Sequence, residues 1–253
     1  MEEAAGAGPQ KPGPMRAMTT GKFITFEGGE GAGKSTQARM LSQRLSKLPI
    51  EVLLTREPGG TQLAEAIRAV LLDANIPERT NLSEVLLFYA ARADHLGSLI
   101  VPALKDGKWV ICDRFSDSTR AYQGAGGATH KPIIESLESI VVGSHRPSLT
   151  IILDVDPEVG LKRAIRRSYG SVNSQNRLLN TEQLAFSFSP DRFEALDVDF
   201  HRRVREAFQQ IAADDPNRCV VIDSSAGINR VAEQVFAAVL ARCGLNPPAP
   251  DAT

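Results

Sequence analysis

A glycine-rich segment with one lysine and two hydroxyl side chains follows the first apolar run of the chain. Its sequence, Gly28-Gly-Glu-Gly-Ala-Gly-Lys-Ser-Thr36, matches the phosphate-binding loop pattern G-x-x-x-x-G-K-[ST] at every fixed position. In such a loop, backbone N–H groups and a helix N-terminus surround a polyphosphate. Lys34 would contact the β- and γ-phosphates, and the Ser35 hydroxyl would bind Mg²⁺. The alternative is a glycine-rich strand-to-helix connection without a ligand, which a match at all four fixed positions disfavours. The residues predicted to contact the nucleotide are Gly28, Gly29, Glu30, Gly31, Ala32, Gly33, Lys34, Ser35 and Thr36.

Five apolar, often β-branched runs alternate with segments whose pattern is typical of helices. The runs are Phe23–Phe26, Val52–Leu54, Trp109–Cys112, Leu149–Leu153 and Cys219–Ile222, and the predicted helices are 34–47, 61–72, 82–104, 132–142, 157–168, 192–213 and 228–242. This alternation predicts an α/β fold, with a five-stranded parallel sheet covered by helices on both faces. We expect the three-layer sandwich of phosphate-loop NTPases with strand order 2-3-1-4-5, because the third strand must neighbour the first for Asp113 to reach the metal.

Charged residues follow the second and third runs, at the sheet edge where such folds bind ligands. Arg56 follows the second run, and it either clamps a phosphate or is a surface charge. Asp113 and Arg114 follow the third run. Asp113 could hold Mg²⁺ through water or accept a substrate hydroxyl, or it could cap the next helix, although a cap does not explain Arg114. A predicted turn after them carries hydroxyl and amide groups that could read a base: Ser118, Thr119, Tyr122 and Gln123.

Phe88 and Arg92 lie four residues apart in the long third helix, so both side chains project from one face. Such a pair can stack on a base and hydrogen-bond to its edge. By pattern alone, a core phenylalanine and a solvated arginine are the simpler interpretation.

A basic helix followed by polar, aperiodic sequence predicts a mobile lid over about residues 163–195. The helix carries Lys162, Arg163, Arg166 and Arg167, and the segment from 168 to 177 is rich in Gly, Ser and Asn. Asp191-Arg192-Phe193-Glu194 then opens the next helix. The alternative is a solvated basic helix end, which the presence of a phosphate loop disfavours.

The formal net charge of -1 over 253 residues argues against binding nucleic acid or coating a membrane. No apolar run approaches the roughly 20 residues of a membrane-spanning helix. Three cysteines without metal-ligand spacing indicate a reducing, cytoplasmic setting. Residues 1–20 and 244–253 have the composition of disordered tails, which leaves one domain over 21–243.

Five stretches, taken in order, resemble the bacterial thymidylate kinases, which transfer the γ-phosphoryl group of ATP to dTMP. They extend over nearly all of residues 22–242, and the Arg-Glu-Pro-Gly-Gly and Asp-Arg segments are more specific than the phosphate loop. The stretches are Phe26–Gln37, Thr55–Glu65, Leu87–Arg92, Asp113–Gln123 and Leu153–Leu161.

The resemblance implies a role for each matching residue. Glu30 would receive the deoxyribose 3′-hydroxyl, Arg56 would bind the dTMP phosphate, and Asp113 and Arg114 would lie between the two phosphates near Mg²⁺. The residues implied to contact the thymine and the sugar are Phe88, which would stack on the base, Arg92 at its O4 edge, Thr119 at N3, and Tyr122, which would crowd C2′ and reject ribonucleotides. Gln123 belongs to the same segment.

Two features, the residue at position 30 and the length of the lid, depart from the family pattern. Glu30 stands where many members have Asp. Some members carry an arginine directly after this acidic residue, but Gly31 occupies that position here, so the lid must supply the catalytic arginine. The candidates are Arg166, Arg167 and Arg192, of which Arg192 is favoured. The lid itself is longer than is usual in the family.

The resemblance further implies ATP as the phosphoryl donor, Mg²⁺ as the metal, and a homodimer. A related phosphate-loop kinase for another nucleotide or deoxynucleoside is the alternative. A nucleotide-dependent switch is disfavoured, because the sequence contains no Asn-Lys-x-Asp motif.

Overall fold

The computed structural model describes residues 21–73, 76, 77, 79–127, 129–175, 193 and 196–245. The predicted tails, 1–20 and 244–253, lie outside this part of the chain, except for Gly244 and Leu245. The second half of the predicted lid, 176–195, also lies outside it, apart from Phe193.

Five parallel strands form one sheet in the order β2-β3-β1-β4-β5, which confirms the predicted topology. Central β1 pairs with β3, so that Phe26 lies opposite Asp113, and with β4 on its other side. The three central strands are almost entirely buried, which explains their continuous apolar sequences. The strands are β1 (Phe23–Glu27), β2 (Val52–Arg56), β3 (Trp109–Asp113), β4 (Leu149–Asp154) and β5 (Cys219–Asp223).

Helices connect the strands and cover both faces of the sheet. They are α1 (Lys34–Leu45), α2 (Gln62–Leu72), α3 (Asn81–His95), α4 (Val101–Lys105), α5 (Ser116–Thr119), α6 (Lys131–Val141), α7 (Pro157–Gln175), α8 (Val198–Asp214) and α9 (Ile228–Cys243). A π-helical turn, Leu96–Ile100, joins α3 to α4, and a π-helical segment, Arg120–Gly126, continues α5. Across these ranges, no helix combines the length and the apolar composition that crossing a bilayer requires.

The core consists of layers on the two sides of the sheet. Helices α1 and α9 pack on one side against Ile24, Phe26 and Ile151. Phe23 on β1 and Ile152 on β4 face the opposite side, where the Leu96–Ile100 turn, α4 and α8 pack. Because successive strand residues point to opposite faces, each buried strand contributes to both layers. The observed architecture is therefore the predicted three-layer sandwich.

Three predicted boundaries are wrong. The segment predicted as a turn is helical from Ser116 to Gly126, because the Glu27 carboxylate on β1 accepts the Phe115 N–H at 2.8 Å and acts as a cap from a distant strand. Helix α7 continues to Gln175 through residues predicted as loop, since an established helix extends cooperatively. Helix α8 begins at Val198 rather than at 192, because Asp197 caps it.

Helix α7 approaches the phosphate loop so closely that only glycine fits at the contact. A Cβ atom at Gly160 would lie 2.3 Å from the Glu30 carbonyl oxygen, and one at Gly31 would lie 1.9 Å from the Gly160 carbonyl oxygen. Gly31 also has a φ of +64°, a conformation that favours glycine. The first helix of the predicted lid is therefore packed backbone to backbone on the phosphate loop.

The substitution Gly160→Ala is expected to lower the free energy of unfolding by about 1–3 kcal/mol, the range for overpacking, because the atom it would strike is backbone. Urea unfolding followed by circular dichroism measures this. Gly97→Ala is the matched control, since a Cβ atom at Gly97 meets nothing within 4 Å. Equal stability of the two variants would contradict the close contact.

Candidate active site

A cavity of about 420 Å³ opens where β1, β2 and β3 end. Six of the predicted nucleotide-binding residues line it, namely Glu30, Gly31, Gly33, Lys34, Ser35 and Thr36, whereas Gly28, Gly29 and Ala32 do not. Every residue predicted to bind the acceptor also lines it: Glu30, Arg56, Phe88, Arg92, Arg114, Thr119, Tyr122 and Gln123. Residues that are distant in sequence thus meet in one site at the predicted edge of the sheet.

Lys34 is held at the cavity by the carbonyl groups of its own loop. Its Nζ donates to the Gly29 oxygen at 2.7 Å and to the Gly28 oxygen at 3.1 Å. Burial, together with the nearby charge of Arg114, lowers the pKa of Lys34 to about 8. A polyphosphate beside Lys34 would favour its charged form. The loop therefore presents a preoriented ammonium group that an anion would stabilise.

Ser35 and Asp113 bring two oxygen groups together beside Lys34. The Ser35 hydroxyl donates to Asp113 Oδ2, which links the first turn of α1 to the end of β3. The capping alternative for Asp113 is wrong, because Phe115 is the N-cap residue of α5 and the helix start has no side-chain cap of its own. A hydroxyl and a carboxylate are ligands that suit Mg²⁺.

Arg114 forms the centre of a partly buried polar cluster with Glu30 and Tyr122. Its Nη2 lies 2.5 Å from Glu30 Oε1 and 3.1 Å from the Tyr122 hydroxyl, which itself donates to Glu30 Oε1 at 2.8 Å. Its Nη1 donates to the Gly28 carbonyl oxygen and to Ser118 Oγ. Since Arg114 touches both the phosphate loop and the start of α5, it bridges the two halves of the site.

The charges in this cluster determine its protonation. Burial alone would raise the pKa of Glu30, but the charges of Arg114 and Lys34 outweigh it and lower the pKa to about 2. Burial raises the pKa of Tyr122 well above its usual range, so its hydroxyl stays protonated. Glu30 is therefore an ionised acceptor at neutral pH, able to receive a further hydroxyl donor.

Arg92 is a buried cation at the floor of the cavity. It is 2% exposed, and its Nε donates to Glu57 Oε2 at 2.8 Å while Nη2 donates to Thr119 Oγ1 at 3.1 Å. Burial works to lower the pKa of Arg92, but the Glu57 carboxylate reverses this, and the net direction is upward. The interpretation of Arg92 as a solvated residue is therefore wrong.

Phe88 is half-buried and lines the cavity one helical turn before Arg92, so the core interpretation of Phe88 is also wrong. Phe193 lies nearby, with its ring centroid 6.3 Å from that of Phe88 and 5.9 Å from that of Tyr122. Gln123 also lines the cavity, and its amide donates to Glu84 Oε1 at 3.1 Å. The cavity thus has an aromatic wall on one side and polar groups on the other.

Three arginines, from β2, α1 and α2, also line the cavity. Arg56 Nη2 lies 3.0 Å from Glu65, and its side chain is 54% exposed. Arg68 donates to the Pro58 carbonyl oxygen at 2.8 Å, and Arg39 also lines the cavity. Sequence reasoning did not identify Arg39 or Arg68, although Arg39 lies one helical turn after Ser35 and therefore on the same face. Together these residues provide positive charge suited to an anion.

Other cavity residues missed by sequence reasoning lie next to identified motifs. Glu57 and Pro58 belong to the Arg-Glu-Pro-Gly-Gly stretch, and Phe115 directly follows Arg114. Proximity to a motif was the available signal for these and for Phe193, which directly follows Arg192, whereas only the fold brings in Leu72.

The structure describes the three candidate lid arginines to different extents. Arg166 is exposed on α7 and does not line the cavity. Arg167 belongs to α7, but its side chain is outside the described part of the chain, as is Arg192 altogether.

Comparison with known proteins agrees with this geometry. The family model "Thymidylate kinase" matches residues 26–235. A thymidylate kinase of Rhodopseudomonas palustris (strain BisB18) is 49% identical over 232 residues, which is 90% of this chain and 93% of that protein. One of Nitrobacter hamburgensis is 47% identical, over 89% and 91% of the two chains. The crystal structure of thymidylate kinase from Ehrlichia chaffeensis matches with a TM-score of 0.66 and 35% identity, over 87% of this chain and 98% of that one. By its phosphate loop, its fold and these relatives, the chain belongs to the thymidylate kinase family.

Proposed function

We propose that this protein phosphorylates dTMP to dTDP by direct in-line transfer of the γ-phosphoryl group of ATP. One observation supports this above all: the phosphate loop and the residues implied to bind dTMP line a single cavity, with Arg114 joining them. Two nucleotides bound from opposite ends of this cavity would meet at Lys34 and Arg114. Holding two reactants in this way removes much of the entropic cost of a reaction between two molecules.

The acceptor would bind with its base against the aromatic wall and its phosphate at the three arginines from β2, α1 and α2. Phe88 would stack on thymine, while Arg92 and Thr119 would bond to its edge. Glu30, ionised at neutral pH, would accept the 3′-hydroxyl, and Arg56 would exchange its pairing with Glu65 for the dTMP phosphate. Tyr122 would crowd C2′ of the sugar, and Gln123, held by Glu84, would complete the polar wall.

The chemistry requires positive charge on the transferred group, because negative charge redistributes as it moves. Lys34 and Arg114 supply two fixed cations, and the loop N–H groups supply further donors. Ser35 and Asp113 would hold Mg²⁺, since their adjacent oxygens suit that ion. When bound, the ion would neutralise charge on the phosphate oxygens.

We further propose that residues 21–243 form the catalytic domain and that about 163–195 form a lid carrying the catalytic arginine. The packing of α7 on Gly31 supports this, because a helix that touches the phosphate loop can carry the lid towards the phosphates. Arg192 is the favoured candidate, with Arg166 and Arg167 as alternatives. The free thiols of Cys112, Cys219 and Cys243 support a cytoplasmic location.

We also propose a homodimer. Exposed apolar side chains lie on α2, α3 and α6, of which α3 packs against both of the others. They are Leu63 and Val70 on α2, Leu82 and Leu86 on α3, and Ile140 on α6, which is 79% exposed. A second copy covering these side chains would remove apolar area from water.

Purified protein is expected to phosphorylate dTMP from ATP in a coupled assay, and dTMP better than dUMP, dCMP or AMP. Lys34→Ala should reduce kcat by about 100-fold or more, because it removes a charge that stabilises the transferring group. Lys131→Ala, at an exposed residue on α6, is the control and should retain activity. Preference for another acceptor would favour the related-kinase alternative, and near-normal turnover by Lys34→Ala would refute the role of the loop.

Arg192→Ala should lower kcat by about 10³- to 10⁵-fold, the range for an arginine finger, while the dTMP KM changes only a few-fold, because the contact is made chiefly in the transition state. Steady-state kinetics of Arg166→Ala, Arg167→Ala and Arg192→Ala measure this, with Arg202→Ala on the surface of α8 as the control. A normal kcat for Arg192→Ala, with loss of activity in one of the other two, would assign the role to α7.

Sedimentation equilibrium is expected to give a mass of twice 27.3 kDa. Ile140→Glu should shift the protein towards the monomer, because a buried, unpaired carboxylate opposes association. The same change at Ile228, which is 61% exposed on α9, is the matched control and should leave the mass unchanged. A monomeric wild-type protein would exclude the homodimer.

A further inference from the structure

Glu57 is a buried carboxylate with both of its oxygen atoms engaged. Oε2 accepts from Arg92 Nε at 2.8 Å, and Oε1 lies 3.0 Å from His95 Nδ1. Glu57 is 5% exposed, Arg92 2% and His95 0%. Because an unpaired charge would be very costly there, Glu57 determines where the Arg92 guanidinium can lie.

The contacts continue from His95 to β2. His95 Nε2 lies 2.8 Å from Thr55 Oγ1. A carboxylate oxygen only accepts, so His95 Nδ1 donates to Glu57. In the neutral imidazole with that tautomer, His95 Nε2 accepts from the Thr55 hydroxyl. We name this series of contacts the Thr55–His95–Glu57 chain. It connects the end of β2 to the cation on α3.

The loop that carries Glu57 is packed directly on this chain. A Cβ atom at Gly60 would lie 2.5 Å from His95 Nε2 and 2.6 Å from Thr55 Oγ1, so no side chain fits there. The backbone of the loop at Gly60 therefore packs directly against His95 and Thr55. Since Arg56 immediately precedes Glu57, the same packing connects Arg56 with Arg92.

The Arg92 guanidinium has one nitrogen left without an acceptor. Nε is bonded to Glu57 and Nη2 to Thr119, while the group lies 4.8 Å from the Tyr89 ring centroid and 5.2 Å from that of Phe115. Nη1 is buried and has no acceptor within the described residues. A donor in this state favours a ligand that offers a carbonyl oxygen. An amino group at that position would bring two hydrogen-bond donors together, and Arg92 Nη1 would stay without an acceptor.

We propose that Glu57, His95 and Thr55 are positioning residues that make the site select a keto oxygen over an amino group on the pyrimidine ring. They do so by holding Arg92 in one orientation, with its donor towards the base. The proposal rests on the proposed function, because it requires the base of the acceptor to lie at Arg92. It adds to that function the residues that enforce the choice between thymine and a cytosine-type base.

The test compares dTMP with 5-methyl-dCMP, which differs from it in carrying an amino group in place of O4. Dissociation constants come from calorimetry for dTMP and from competition for 5-methyl-dCMP. Glu57→Gln should reduce the preference for dTMP by about tenfold or more, the scale of one hydrogen bond to a charged group. Most of the change should be weaker dTMP binding, and the ATP KM should stay the same.

Glu138→Gln is the matched control. Glu138 is also a buried carboxylate, but it accepts hydrogen bonds from Tyr89 and Ser116 and none from Arg92. Its variant should therefore keep the preference for dTMP. An equal loss of preference in both variants would show a general effect of buried charge and would overturn the proposal.

Thr55→Val provides a second variant, at a half-buried position, which removes the hydroxyl that contacts His95 and keeps a side chain of similar shape. It should reduce the preference in the same direction but by less. An unchanged preference in folded Glu57→Gln, or in Thr55→Val if Glu57→Gln does not fold, would overturn the proposal. A wild-type protein that neither binds nor phosphorylates dTMP would instead overturn the proposed function, so the two failures are distinguishable.

Discussion

The pairing of β1 with β3 is the constraint on which the site depends. Because the two strands are parallel neighbours, Phe26 lies opposite Asp113, and the Arg114 N–H continues the ladder to the Phe26 carbonyl oxygen at 2.9 Å. The phosphate loop and the Asp113-Arg114 pair therefore leave the sheet at the same edge. The contacts of Ser35 with Asp113 and of Glu30 with Arg114 follow from this adjacency.

At Arg114 the backbone leaves the direction of β3 and turns towards the site. Its φ of 69° lies in the left-handed region, which is uncommon for a residue with a side chain. The bond to Phe26 holds it on one side, and on the other Glu27 accepts from the Phe115 N–H and from Ser118 Oγ at 2.6 Å. Burial, followed by the charge of Asp117, raises the pKa of Glu27 to about 8. The Glu27 carboxyl group, whose charged form burial disfavours, thus stabilises the turn that aims Arg114 at the phosphate loop.

Sequence patterns identified those parts of the site whose geometry is local. The phosphate loop, the strand ends and the i, i+4 relation of Phe88 to Arg92 follow from short-range spacing, and all of these residues except Gly28, Gly29 and Ala32 line the cavity. The patterns failed where a group that is distant in sequence determines the local structure. The carboxylate that caps α5 comes from Glu27, 88 residues before Phe115 in the chain, so the start of that helix had no local signal.

The sequence by itself determined the fold class and the residues at the strand ends, because hydrophobic periodicity and glycine spacing encode backbone geometry over a few residues. The strand order followed from a functional requirement, that Asp113 must reach the phosphate loop. Only the tertiary structure decided that Arg92 is a buried cation paired with Glu57, and that α7 rests on the phosphate loop at Gly31. These facts depend on burial and on close approach between segments far apart in the chain. An arginine on a helix face has the same local sequence pattern whether it lies in solvent or in a core. Only the residues that the tertiary fold packs around it exclude water and supply its ion-pair partner.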